Sequence, residues 1–381
     1  MDVNEKTLRS RPRMRAAVID SLTQQGFTLS EGKIVAPSMD SKESLRALHS
    51  EAVGHQREKS RPGLERHERV LLKSIANGTE IDPSKIRPRL AQVHPGTEEE
   101  LLFRWARLHW SIPTSAGYGR RLRFVVRDEA HNNKLIGILG LSDPVFALGG
   151  RDDWIGWDSE GRRERLHQVM DAFVLGSVPP YNMLLAGKLV ALLATSAEVQ
   201  DAYAGRYCGR ASLIASKRRH APLALITTAS ALGRSSVYSR LRLQGRKAAI
   251  SVGFTRGSGD FQFANGLYDA LSAYAARNCT ATAKHSNWGS GFRNRREVVK
   301  KALQHLGLND ALMYHGVQRE IFVFPLATNT REALTKGDEL APYSESAEYI
   351  SEFWKLRWMF PRAVRDDRYK SFDRDSWRLW T

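Results

Sequence analysis

The chain has 381 residues, 42% of them hydrophobic, which is enough for two or three domains around a sizeable core and excludes wholesale disorder. Against 41 acidic residues stand 58 Lys and Arg, a formal charge of +17, and such an excess points to a polyanion, nucleic acid ahead of a membrane surface or an acidic protein. Only Cys208 and Cys279 are present, far apart and with no CxxC or Cys/His cluster, so neither a disulfide framework nor a zinc site is indicated and a reducing compartment is expected.

The first segment, MDVNEKTLRSRPRMRAAVID, has no apolar core or cleavage signal, so the cytoplasm is expected instead of secretion. From Arg13 to Phe27 apolar residues recur at helical spacing, and a polar turn leads into TLSEGKIVAP. Asp40 to Asn77 is charged and helix-prone, with a break expected at Arg61-Pro62-Gly63. Asn77 to Gly96, carrying Pro83, Pro88 and Pro95, reads as an extended connector, so residues 1–96 are expected to form a helical module and its linker.

A helix is predicted over Glu98–Trp110. Arg121–Arg127, with Leu122, Phe124 and Val126 on one face, and Leu135–Leu141 read as a hairpin closed by the turn-rich DEAHNNK. Arg162–Phe173 and Gly187–Tyr203 are helical by period. The second lies in the most apolar stretch, MLLAGKLVALLATSA, which is too short and too interrupted by Lys188 to span a membrane.

Pro222–Asp260 is the most informative segment. Leu223, Leu225, Ile226, Thr227 and Thr228 suit a buried strand that empties into a basic, hydroxyl-rich turn. A helix beginning near Ser235 would leave N–H groups unpaired, so Arg234, Ser235 and Ser236 could hold a phosphate. Tyr238, three residues on, would turn its phenol toward the same cleft as Ser235. The plainer reading is a helix capped by Ser.

Further on, Phe261–Ala276 reads as an amphipathic helix, Arg293–Leu306 as a basic one and Glu320–Leu326 as a strand. The stretch Ala347–Thr381 carries Trp354, Trp358, Trp377 and Trp380 among many Arg residues. Trp354 and Trp358, four apart, share a helical face and are expected to pack.

Other residue types carry chemistry. Asp143, Asp152, Asp153, Asp158 and Asp171 form the densest acidic group, and converging carboxylates could hold Mg²⁺ for phosphodiester cleavage, although carboxylates in turns are the commoner meaning. His315, with Arg319 and Glu320, would act as acid/base beside a phosphate clamp, or else is a loop residue. In NWGSGFRNRR, Trp288 could stack a base while Arg293, Arg295 and Arg296 meet phosphates, with the run Lys217-Arg218-Arg219 as a further contact.

Several strings, in order, resemble the DruA component of Druantia anti-phage defence systems: RWARLHWSIPTSAGYGRRLRFVVRD, KLIGILGLSDPVF, RDDWIGWD, MDAFVLGSVPPYNMLLAGKLVALLATS, TTASALGRSSVYSRL, VGFTRGSGDFQF, HGVQREIFVFPLATN and LRWMFPRA. They cover roughly the last three quarters of the chain. The resemblance implies a bacterial antiviral setting with partner subunits, including a large helicase-like protein, and no settled reaction. Where that family has a GxGHFH-like string this chain has GSGDFQF, so Asp260 and Gln262 stand where imidazoles are expected.

The element order also resembles the GNAT acyltransferase arrangement. That resemblance implies that Ala186, Gly187 and Lys188 mark a cofactor turn for acetyl coenzyme A and that Tyr238 protonates a leaving thiolate. The usual Q/R-x-x-G-x-G/A string is missing there, and RYCGRA, which matches it, follows the helix instead of preceding it. The expected architecture is thus α/β, a GNAT-like mixed sheet flanked by helices (97–290) between the N-terminal helical module and a basic C-terminal α/β cap (291–381). The expected function is DNA binding, with DNA processing to be considered. An acyltransferase or a non-catalytic assembly subunit for a helicase partner are the alternatives.

Overall fold

A computed structural model describes residues 10–37, 41–114, 119–209, 220–282, 292 and 294–380. The helix Arg11–Gln24 packs near a small hairpin of β1 (Thr28–Ser30) and β2 (Lys33–Val35). The helix Lys42–Leu71 follows, about 45 Å long at 1.5 Å per residue. It does not break at Pro62, as the sequence led one to expect. Pro62 and Glu58, whose carbonyl loses its partner, both face solvent, so water can satisfy the freed group, while buried Leu48 and Val53 before it and Leu64 and Leu71 beyond it hold the axis.

The frame is a seven-stranded mixed sheet. Its strands are β3 (Pro88–Gln92), β4 (Arg121–Asp128), β5 (Lys134–Ser142), β6 (Val169–Ser177), β7 (Leu225–Ala229), β10 (Ile250–Phe254) and β11 (Glu320–Pro325). A separate hairpin joins β8 (Arg242–Leu243) to β9 (Arg246–Lys247). The sheet order is β10-β11-β7-β6-β5-β4-β3, and every neighbouring pair is antiparallel except β6 with β7. That parallel pair is short: Val169–Asp171 face Leu225–Thr227, and the strands then part. β3 and β11, from either side of the expected core boundaries, are both members of the one sheet.

The predicted hairpin of β4 and β5 is present. The connector expected at 77–96 contains the edge strand β3, with Pro88 at its first position, where no ladder donor is needed. Where Arg162–Phe173 was expected to be helical, a short helix, Ser159–Arg165, gives way to β6. Leu166, Val169, Met170 and Phe173 mimic a helical period because β6 is covered on both faces and has no polar alternation. The expected helix Gly187–Tyr203 is two helices, Ala186–Leu193 and Ala197–Tyr207, separated at Thr195-Ser196.

Both sheet faces are packed. Leu122, Phe124 and Val126 of β4 join Leu189, Val190, Phe322 and Trp354 in the largest cluster, while Val125 joins Leu64, Trp105, Val174 and Trp380 on the other face. A third cluster joins Met14 and Leu45 to the helices Leu267–Asn278 and Arg295–His305. No helix among the described residues is long and apolar enough to cross a membrane.

The C-terminal tail is fastened to the long helix by one carboxylate. Glu68, 6% exposed, accepts from Trp105 Nε1 at 2.9 Å and from the backbone N–H groups of Leu379 at 2.8 Å and Trp380 at 3.2 Å. Glu68→Ala strands three donors in a dry setting and is expected to cost about 3 kcal/mol of stability, with Glu68→Gln costing less. Urea unfolding of both variants measures this; an unchanged midpoint for Glu68→Ala would remove the tail fastening as a stabilising feature.

Candidate functional site

Three of the quoted strings converge beyond the end of β7. The turn Gly233–Ser236, the loop Thr255–Asp260 and the segment His315–Glu320 meet there, with His49 of the long helix beneath them. Ser235 does not open a helix; it closes a single turn. Its hydroxyl accepts from Val237 N and Tyr238 N, both at 3.2 Å, and no helix dipole develops. Its own backbone N–H donates to the Glu320 carboxylate at 3.3 Å, and Ser251 Oγ donates to the other Glu320 oxygen at 2.7 Å. Arg234 and Ser236 project into solvent.

Tyr238 turns away from that cleft. Its ring stands edge-on to Phe322 and Phe324, and its hydroxyl donates to the Leu175 carbonyl of β6 at 3.4 Å, where β6 has parted from β7. Burial pushes its phenol well above the ordinary value.

His315 and His49 are both buried. His315 Nδ1 accepts from Val317 N at 3.0 Å, its ring also bonds the Ser258 backbone, and burial, then Arg319, lowers its pKa to about 4. It thereby pins the glycine loop, in which Gly257 has φ +67° and leaves no room for a Cβ against Gly316. His49 Nε2 lies 3.2 Å from Arg319 Nη2, so the guanidinium donates and the ring is neutral. Its pKa is lowered to about 3 by burial, then by Arg319 and His315. Asp260 pairs with Arg295, whose guanidinium also covers the Tyr268 ring at 3.6 Å. Gln262 is fully buried and donates to Leu312 O at 3.0 Å. Arg296 is exposed.

A second assembly lies beside the helix Ala186–Leu193. A hollow of ≈ 430 Å³ is lined by Lys188, Arg240, Arg242, Gly245, Phe353, Arg357 and Trp358. Its walls come from three segments. Lys188 is on the helix Ala186–Leu193 and donates to Val237 O at 3.0 Å. Arg242 is presented by the β8–β9 hairpin, whose two-residue loop, Gln244-Gly245, has positive φ at both positions and suits the twist of a tight hairpin. Gln244 Nε2 ties the hairpin to Tyr349 Oη at 2.9 Å. Ala186, Gly187 and Lys188, expected to mark a cofactor turn, are the first residues of the helix Ala186–Leu193, with Gly187 against Ser177 and Val237.

Phe353, Arg357 and Trp358 belong to the C-terminal helical run, where the helix Ala347–Trp354 passes through a wide π turn, Lys355–Met359, into the helix Phe360–Arg365. Trp354 is buried and donates to Leu185 O at 3.2 Å, but Trp358 is only partly covered and stands at the hollow's edge. Both tryptophans pack on the largest cluster, Trp354 within it and Trp358 against its edge. Trp358 and Arg357 also line a second, more apolar hollow of ≈ 720 Å³ with Leu185, Leu356, Phe360, Pro361, Val364 and Arg365. Among the described residues, no Asp or Glu lines either hollow.

The five expected metal carboxylates do not converge. Asp143 pairs with Arg120 at 2.6 Å, and Asp152 with Arg151 at 2.6 Å and Arg162 at 2.9 Å. Asp158 caps the helix Ser159–Arg165, and Asp153 is exposed. Asp171 accepts from Thr227 at 2.7 Å, and burial raises its pKa to about 6 against the pull of that bond and of Arg151. Among the described residues no group of three His, Cys, Asp or Glu could hold a metal ion, so these carboxylates do not fit Mg²⁺. Lys217, Arg218, Arg219, Trp288 and Arg293 lie outside the described residues.

The Lys188–Arg240–Arg242–Arg357 assembly escaped the sequence reading because no window holds it; the one local signal is the alternation of Arg240 and Arg242 around buried Leu241.

Comparison with known proteins adds two findings. A family model described as Druantia protein DruA matches residues 39–336. The Druantia protein DruA of Escherichia coli (strain UMEA 4076-1) is 42% identical over 361 residues, 94% of this chain and 89% of that protein. No solved structure matches.

Proposed function

Because the chain belongs to the Druantia protein DruA family, we propose that it works in the cytoplasm as the nucleic-acid-binding member of a Druantia-type antiviral assembly, beside subunits that include a helicase-like protein. The observation that carries this reading is the row Lys188, Arg240, Arg242 and Arg357, four cations around one hollow with no carboxylate among its lining residues. Like charges gathered without a counter-ion repel one another; burial and the neighbouring Arg240 lower the Lys188 pKa. A polyanion relieves that repulsion. DNA is the expected ligand, and four phosphate contacts predict a slope of about −3 for log K against log salt. Anisotropy titrations over a salt series measure it. Binding indifferent to salt, or none at low salt, would overturn the proposal.

A second reading, acyl transfer, draws on the sheet. Antiparallel strands, a short parallel pair that parts, and an intervening helix support a GNAT-like arrangement. The phenol that would serve as acid is walled in by Phe322 and Phe324 and already bonded to Leu175 O. Acetyl coenzyme A is therefore expected not to bind tightly. Calorimetry tests this, and a stoichiometric micromolar isotherm would put acyl transfer first.

A further inference from the structure

We infer that the paired hollows take an unpaired nucleotide strand, with a base lying against Trp358 and the flanking phosphates on Arg240, Arg242 and Arg357. This deepens the nucleic-acid reading above and rests on it.

The argument starts from what stands beside the cations. Phosphate binding alone needs only charge, and a duplex offers little else on its outside, since its bases are stacked on each other. Here the cations border an aromatic and aliphatic surface. Leu356 is 71% exposed and Val364 87%, and Phe360 and Pro361 continue the same wall. Apolar surface left open beside cations is matched by a ligand with flat faces and a charged backbone, which a separated strand is and a duplex is not.

Trp358 is built to serve as the platform. Phe353 meets it edge to face, with centroids 5.6 Å apart at 81°, which fixes the indole while Trp358 stays partly exposed. The Lys188 ammonium lies 5.5 Å from the ring centroid. Because Trp358 and Arg357 line both hollows, a strand crossing from the cationic to the apolar side must pass the indole. Leu185, which lines the apolar hollow with Trp358, is held in place: it has φ +61°, an uncommon conformation for a bulky residue, and its carbonyl is engaged by Trp354. Volumes of ≈ 430 and ≈ 720 Å³ are in the range of sites for molecules of nucleotide size.

The test uses the full chain with a labelled single-stranded DNA, the same sequence as RNA, and the DNA as a duplex. The single strand is expected to bind at least about ten-fold more tightly than the duplex, and Trp358→Ala to remove about ten-fold of single-strand affinity while Trp358→Phe keeps most of it. The DNA and RNA arms show which sugar is preferred. Since Trp358 also packs against the core, photocrosslinking of wild-type protein to a halogenated-pyrimidine oligonucleotide supplies a readout free of folding effects, with the adduct expected on residues 353–360. Equal affinity for strand and duplex, or adducts confined to other segments, would overturn the inference. So would displacement by polyglutamate at equal charge, which would mark a surface for acidic protein. If all three nucleic acids bind with a steep salt slope but adducts fall elsewhere, the inference fails alone; if none binds at low salt, the functional proposal fails with it.

Discussion

Replacing Arg240, Arg242 and Arg357 together with alanine is expected to weaken single-strand binding about 100-fold near 0.1 M salt and to make the salt slope shallower by about 2. Each phosphate neutralised on a single strand contributes about 0.7 to that slope, and the electrostatic part of the affinity fades toward 1 M salt, so three contacts are worth about two decades at one tenth of that. Structural damage should be small. All three side chains are exposed, and the one hydrogen bond among them runs from Arg242 to the Gly245 carbonyl inside its own hairpin. The control is a triple variant of cations already neutralised locally: Lys85 with Asp82, Arg61 with Glu65 and Arg368 with Asp366. That variant should bind nearly as wild type. Equal losses in the two triples would mean that binding is spread over the surface and that the hollow has no special part.

Stability is expected to fall by about 4 kcal/mol between pH 6.5 and pH 5. His49 and His109 have pKa values lowered to about 3 and His315 to about 4, burial being the first cause in each, with Arg319 adding at His49 and His315 and Arg57 at His109. All three are neutral in the fold. The unfolded chain takes up these protons near pH 6.5, so the stabilisation is complete above that value and drains as pH falls toward 4, at about 1.4 kcal/mol per unit for each ring. Asp171, raised to about 6, acts in the opposite sense below pH 6 and returns about one such increment per unit. Urea unfolding at pH 7, 6 and 5 measures the sum, and His315→Gln should remove about a third of the histidine part. A flat profile would mean that these rings are not buried in solution.

What could be read from the chain followed local chemistry. β4, with Leu122, Phe124 and Val126 on one face, and β11 announced themselves by alternation. β6 did not, since a strand covered on both faces has an apolar run that a helix could equally own. Ser235 carried a true capping signal, but the structure spends it on a single turn and gives the backbone N–H to Glu320, a partner 85 residues away. The cationic hollow was illegible for the same reason: Lys188, Arg242 and Arg357 meet only in the folded chain. The two tryptophans four apart do meet one cluster, but only the structure shows that Trp354 is buried while Trp358 stands at the hollow's edge.

The place of β11 in the sheet has a consequence for the newborn chain. β7 and β10 precede it in sequence, yet β11 lies between them, so β10 has no neighbour in the sheet until β11 arrives. At the usual pace of synthesis, the roughly 100 residues from the end of β7 to the end of β11 take about 5 to 20 seconds to make. Throughout that interval Leu225–Ala229 is an open edge of largely buried-type residues, able to pair with any strand nearby. Ribosomes stalled in this window should release insoluble fragments, and cells making this protein in quantity must shield that edge until its partner emerges.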